Sequence, residues 1–134
     1  MKKKLDQGLI FEDWLRIARR DWERVRRNLN DQDPEAAGFF FQQSLEKYLK
    51  AFLLQHGWKL IKIHELDALL DEAIKHNSNL QTFYELCERV SGYYLADRYP
   101  SLGASDLTCE DIKRDLKEAL KLICTIFPGE KLSA

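Results

Sequence analysis

Apolar residues recur along this chain at intervals of three and four, a pattern that predicts helices over most of its length. From Leu9 to Leu29, the residues Trp14, Ala18, Val25 and Leu29 fall on one helical face, with Phe11 and Trp22 beside them. Asp31 to Asp33 break that pattern, and Pro34 opens a second helix in a first-turn position where its missing N–H costs nothing. This helix extends to about Gln55. Ala37, Phe41, Leu45, Tyr48 and Phe52 form its stripe, Phe40 and Leu49 widen it, and Gly57 ends it. So wide an apolar face suits the centre of a bundle.

A shorter amphipathic helix follows, starting at His64-Glu65-Leu66, carrying Leu66, Leu69, Leu70, Ala73 and Ile74, and stopping near Asn77. A fourth pattern, Leu80, Phe83, Tyr84, Cys87, Val90 and Tyr94, ends near Arg98, because Pro100 disfavours helical geometry at Tyr99. Thr108 and Asp111 have capping-box spacing, and Ile112, Leu116, Ala119, Ile123 and Phe127 complete a fifth helix. No segment alternates with a period of two, and no repeat occurs. The expected fold is all-α: one domain over residues 1–134, an up-and-down four-helix bundle with a short fifth helix.

Composition narrows the classes. Of 134 residues, 45% are hydrophobic and 32% charged, with 6 Gly and 3 Pro, which suits a packed domain rather than a disordered chain. Lys and Arg total 21 against 22 Asp and Glu, so any nucleic-acid contact must come from a local patch rather than from net charge. The longest apolar run, Ala36 to Phe41, is far below the roughly 20 residues that span a bilayer. Met1-Lys2-Lys3-Lys4 has the basic residues of an export signal, but Asp6, Gln7, Glu12 and Asp13 interrupt the apolar region such a signal needs. Cys87, Cys109 and Cys124 are odd in number and lack C-x-x-C spacing, which points to reduced thiols in a cytoplasm and to no metal or cofactor. The chain has no P-loop, G-x-G-x-x-G, H-E-x-x-H or G-x-S-x-G.

Several polar residues depart from the helical pattern. Asp21 sits at stripe spacing between Ala18 and Val25, so its carboxylate faces the seam and requires a cation. Gln43, Lys47 and Lys50 share an edge of the second helix, and Glu46 precedes Lys50 by four. This arrangement fits either an ordinary surface pair or a ligand contact. His64 fits either a bond at a helix start or a site. Arg98 and Tyr99 fit either a helix-terminal cation or a grip on phosphate with a ring stacked on a base. Arg16, Arg19, Arg20, Arg24, Arg26 and Arg27 fit either an RNA-facing stripe or a solvated face.

Taken together, Trp14-x3-Ala18-x2-Asp21, Gln43-x2-Glu46-Lys47-x2-Lys50-Ala51, His64-x-Leu66 and Arg98-Tyr99-Pro100 resemble the HEPN family (higher eukaryotes and prokaryotes nucleotide-binding) in order and spacing across most of the chain. The resemblance implies a five-helix bundle, frequent homodimerisation, and nucleotide or RNA as partner. Bacterial and archaeal members are often encoded beside a minimal nucleotidyltransferase, in two-protein toxin–antitoxin-like systems. Ribonuclease members carry an Arg followed by a His after four to six residues, a pair suited to phosphate charge stabilisation and acid–base work. Here Gly103, Ala104 and Ser105 occupy the matching places, and neither His56, His64 nor His76 follows an Arg at that distance. The match is nearest to a branch with Arg-Tyr-Pro in place of that pair. Carried over, Arg98, Tyr99, Lys47, Lys50 and His64 contact nucleotide or phosphate, with Asp21 and Glu46 orienting them. The expectation is a non-catalytic nucleotide- or RNA-binding subunit. The alternatives are a metal-independent ribonuclease toxin that assembles Arg98 and a distant His in space, and a helical dimerisation scaffold without a small ligand.

Overall fold

The computed structural model describes residues 2–57, 63–98 and 107–134, with side chains over 11–57, 63–93 and 107–134. Among these residues there are five α-helices, one 3-10 helix and no strand: an all-α bundle. Helix α1 spans Lys2–Asn30, α2 Pro34–Gln55, α3 Leu66–Ile74, α4 Tyr84–Arg98 and α5 Cys109–Ile126. The start of α1 precedes the expected Leu9, because lysine-rich sequence propagates a helix without any apolar signal.

Local chemistry sets the boundaries. The α1–α2 turn closes with Asp33 N–H donating to Asn28 O at 2.9 Å and Gln32 N–H to Leu29 O at 3.0 Å. This double closure requires a left-handed residue, and Gln32 adopts φ 57° to supply it. Asp33 then caps α2, its side chain accepting from Ala36 N at 3.2 Å, with Pro34 as the first helical residue. Gly57, at φ 82°, turns the chain away after α2. At α5 the expected capping box forms: Asp111 N donates to Thr108 Oγ1 at 3.1 Å and Thr108 N to Asp111 Oδ2 at 3.4 Å.

One element differs from its expected form. The fourth pattern is two elements: residues Ser78–Phe83 form a 3-10 helix capped by Asn77, and α4 begins only at Tyr84. Leu80 and Phe83, three apart, eclipse on the core side of a 3-10 turn as well as they would in an α-helix, so apolar spacing alone does not separate the two.

Helix α2 is the hub and packs against α1, α3, α4 and α5. Trp22, Phe41, Leu45, Leu49, Leu86 and Ile112 are fully buried around it. Ser44 Oγ donates to Ala18 O at 2.8 Å and binds α1 closely to α2. Gly38 is where α4 crosses α2: a Cβ there would lie 2.9 Å from Tyr93 Cβ, so only glycine allows this approach. Beyond α5, Trp22 Nε1 donates to Ser133 O at 2.9 Å, and Glu130 accepts from Arg19 Nε at 3.0 Å and from Tyr48 Oη at 2.7 Å. The segment after α5 therefore straps α1 to α2.

Candidate functional site

Along the edge of α2 that faces α1 and the start of α3 runs an unbroken chain of polar side chains. Asp21, 2% exposed, accepts from Arg24 at 2.8 Å and from Lys47, which crosses from α2. Lys47 Nζ reaches Gln43 Oε1 at 3.4 Å, Gln43 Nε2 donates to Gln42 Oε1 at 2.7 Å, and Gln42 Nε2 donates to Glu46 Oε1 at 3.1 Å. Lys50 Nζ donates to Glu46 Oε2 at 2.9 Å, and His64 Nδ1 lies 3.1 Å from both that oxygen and Lys50 Nζ. The chain fixes both amides, since turning either one would set donor against donor.

Helical spacing produces this alignment. Residues 42, 43, 46, 47 and 50 follow one edge of α2 over a little more than two turns, and Asp21 reaches the line because Ser44 draws α1 against α2. The lysines differ in environment. Lys50 is 2% exposed, lies 5.1 Å from the centre of the Trp14 ring, and has Glu46, itself 7% exposed, as its anion. Lys47 keeps 16% side-chain exposure. The Glu46–Lys50 pair is thus buried between α1 and α3, which corrects the solvated-surface reading that its spacing also allowed. Arg24, Lys47 and Lys50 face two carboxylates, Asp21 and Glu46, leaving a surplus cation at the Arg24–Lys47 end.

His64 does not serve the backbone at the start of α3, where Glu65 occupies the cap position without a side-chain bond. Its ring turns back to Glu46 and stays 67% exposed. Nδ1 cannot both accept from Lys50 and donate to Glu46. The first arrangement leaves Nε2 as an N–H donor towards solvent, and the second leaves it a base.

A cleft of about 630 Å³ opens beside this chain, lined by Gln42, Gln43, Glu46, His64, Glu65, Asp67 and Ser91. That is within the usual range of small-ligand sites. Glu65 and Asp67 join Glu46 as carboxylates in its lining, while Arg24, Lys47 and Lys50 stand behind that lining in the polar chain. The structure thus brings Asp21 to Lys47 and Glu46 to Lys50 and His64. The Arg98 side chain, and Tyr99 entirely, lie outside the described residues. In α4, Arg98 follows the cleft residue Ser91 by seven positions, two helical turns along the same side.

Sequence reasoning missed a second network. Asp115, fully buried on α5, accepts from Arg89 Nε at 3.2 Å and from the Tyr93 hydroxyl, and Arg89 also reaches Glu118 at 2.9 Å. Burial, and then the bond to Asp115, push the Tyr93 phenol up. Asp115 stands three positions after Ile112 and four before Ala119, and that stripe spacing was the available signal. Of the six arginines in α1, Arg16, Arg19, Arg24 and Arg26 are ion-paired, whereas Arg20 and Arg27 make no ion pair among the described residues.

The chain is thus an all-α bundle with a buried polar chain along one wall of an open cleft. The HEPN domain model matches residues 11–127, and the chain belongs to the HEPN family. Membership gives it a nucleotide- or RNA-related function in general terms. No curated protein and no solved structure matches the chain. Among the described residues, no helix is long and apolar enough to cross a membrane, and no group of three or more His, Cys, Asp or Glu could hold a metal ion.

Proposed function

We propose that this chain is a single-domain, non-catalytic subunit that binds a nucleotide, or an RNA end, in the cleft between α2, the start of α3 and α4. The observation that carries the reading is the cleft beside the Asp21–Lys47 to Glu46–Lys50–His64 chain. A nucleotide is the ligand proposed there. Its phosphates lie towards Lys47, His64 and Arg98, while ribose hydroxyls and base amino groups meet the acceptors Glu65 and Asp67 and the amides Gln42 and Gln43. Asp21 and Glu46 hold the cations rather than touch ligand, and Lys50 acts from behind by positioning Glu46 and His64.

Arg98-Tyr99-Pro100 supports placement in the HEPN branch with that triplet, with Tyr99 stacking on the base. The resemblance further supports a homodimer paired with a minimal nucleotidyltransferase in a toxin–antitoxin-like system. Three free cysteines, one buried, favour a cytoplasmic setting.

The test is calorimetric titration of ATP and of the other three ribonucleoside triphosphates into the purified protein, with Arg98→Ala and His64→Ala beside it. Saturable binding that falls roughly tenfold or more in Arg98→Ala is expected for loss of a charge-assisted contact. No heat with any of the four, nor with a short single-stranded RNA oligonucleotide, refutes the cleft reading.

The Glu46–His64 contact favours one second reading, because a carboxylate behind an imidazole is the arrangement of an oriented acid–base group. Wild-type cleavage of structured RNA in the presence of a chelator, absent from both Arg98→Ala and His64→Ala, would establish that reading instead.

A further inference from the structure

On another face of the bundle, a groove of about 590 Å³ runs between the second half of α1 and the first half of α5. Its banks are two helical stripes of identical spacing: Glu23, Arg26, Arg27 and Asn30 on α1, and Glu110, Lys113, Arg114 and Lys117 on α5. Five cations therefore face two carboxylates in a chain whose formal net charge is -1.

This segregation has a visible cause. Asp115 and Glu118 are drawn to the α4 side of α5 by Arg89 and Tyr93, leaving the cations of α5 to look towards α1. Arg27 and Lys117 make no ion pair among the described residues. Arg26 and Lys113 have only same-helix partners, Glu23 at 3.3 Å and Glu110 at 3.6 Å, which solvent and salt readily displace, and Arg114 lies 3.5 Å from both Asp111 and the buried Asp115.

We propose that this α1–α5 groove binds the phosphodiester backbone of a single-stranded nucleic acid, RNA in the setting of this family, at a site separate from the nucleotide cleft. The inference rests on the nucleotide- and RNA-related reading above and extends it to a second surface. The lining favours backbone over protein. Among the described residues no aromatic side chain borders the groove, so they offer it neither the anchors of a protein hot spot nor a platform for base stacking. Its apolar floor is limited to Leu29, which is partly buried, and Leu116, which is 1% exposed. Cations on both banks instead match a polyanion lying lengthwise between the helices, with guanidinium and ammonium donors reaching phosphates from either side.

The test is fluorescence anisotropy with a fluorescein-labelled single-stranded RNA and the DNA of the same sequence, titrated at several NaCl concentrations. It compares wild type, Arg27→Ala/Lys117→Ala, and the charge-matched control Arg16→Ala/Lys75→Ala on other faces. Losing two phosphate contacts weakens binding roughly tenfold or more at low salt and flattens the log K against log salt slope by about 1.4, at about 0.7 per single-strand contact. The control stays at wild-type affinity, and RNA and DNA bind within a few-fold of each other.

Unchanged affinity in the groove variant overturns the proposal. So do equal losses in variant and control, which would mean a diffuse field, or a strong preference for RNA over DNA, which would mean base or 2′-OH readout. A wild type that binds no RNA also overturns it, and the ATP titration then decides separately whether the cleft reading stands. The groove variant should retain wild-type ATP binding, so the two surfaces succeed or fail independently.

Discussion

Replacing Glu46 by glutamine keeps the shape of the side chain and removes its charge, which isolates what the anion does for Lys50. In the native protein Lys50 is 2% exposed, and its ammonium has Glu46 as anion, the His64 ring and the face of Trp14 as its surroundings. Removing one partner of a buried pair costs about 3–5 kcal/mol. The glutamine carbonyl still accepts from Lys50, so a loss of about 3 kcal/mol is expected, lowering Tm by roughly 10 °C at this chain length. Lys50→Met in the same background removes the stranded charge, and the double variant recovers all but about 1 kcal/mol. The assay is urea and thermal unfolding of the four proteins followed by circular dichroism. A Glu46→Gln shift under about 1 kcal/mol, or a double variant whose loss is the sum of its singles, would show that the pair is not buried as described.

Three further outcomes are expected. Gly38→Ala should lose about 1–3 kcal/mol, because the new Cβ meets Tyr93 Cβ at 2.9 Å, whereas helix propensity alone would give a gain of about 1 kcal/mol. A raised Tm would contradict the close crossing. Gln32→Gly should gain about 0.5–1 kcal/mol by relieving the left-handed conformation of the α1–α2 turn, and a lower urea midpoint would argue against that geometry. Burial pushes the Glu130 carboxyl up, but bonds from Arg19 and Tyr48 outweigh it and hold the group below its usual range. The unfolded chain then binds the extra proton, so this stability is complete above the unfolded pKa near about 4.3 and disappears as pH falls through the lower folded value. Glu130→Gln should therefore give a flatter urea midpoint against pH below about pH 5, and curves parallel to wild type would count against the strap.

The α-helices and most of their boundaries were legible in the sequence, because apolar spacing, Pro34, Gly57 and the Thr108–Asp111 box act through neighbouring residues. The division of the fourth pattern at Tyr84 was not legible, since Leu80 and Phe83 suit either helical period. Asp21 announced a partner by its place on the stripe. That the partner is Lys47 and Arg24 depends on how closely Ser44 draws α1 to α2. The pairing of Glu46 with Lys50 could be read as i and i+4, but its burial could not, because solvent is excluded by Trp14 and by α3 from elsewhere in the chain. Arg27 and Lys117, ninety positions apart, line one groove because packing sets α1 and α5 on its two banks, while Arg89 holds Asp115 and Glu118 on the α4 side. Sequence by itself determines what each helix is and which of its sides is apolar. Tertiary packing decides which charges lose water and which remain open to a ligand, because desolvation depends on every chain segment that closes around a group.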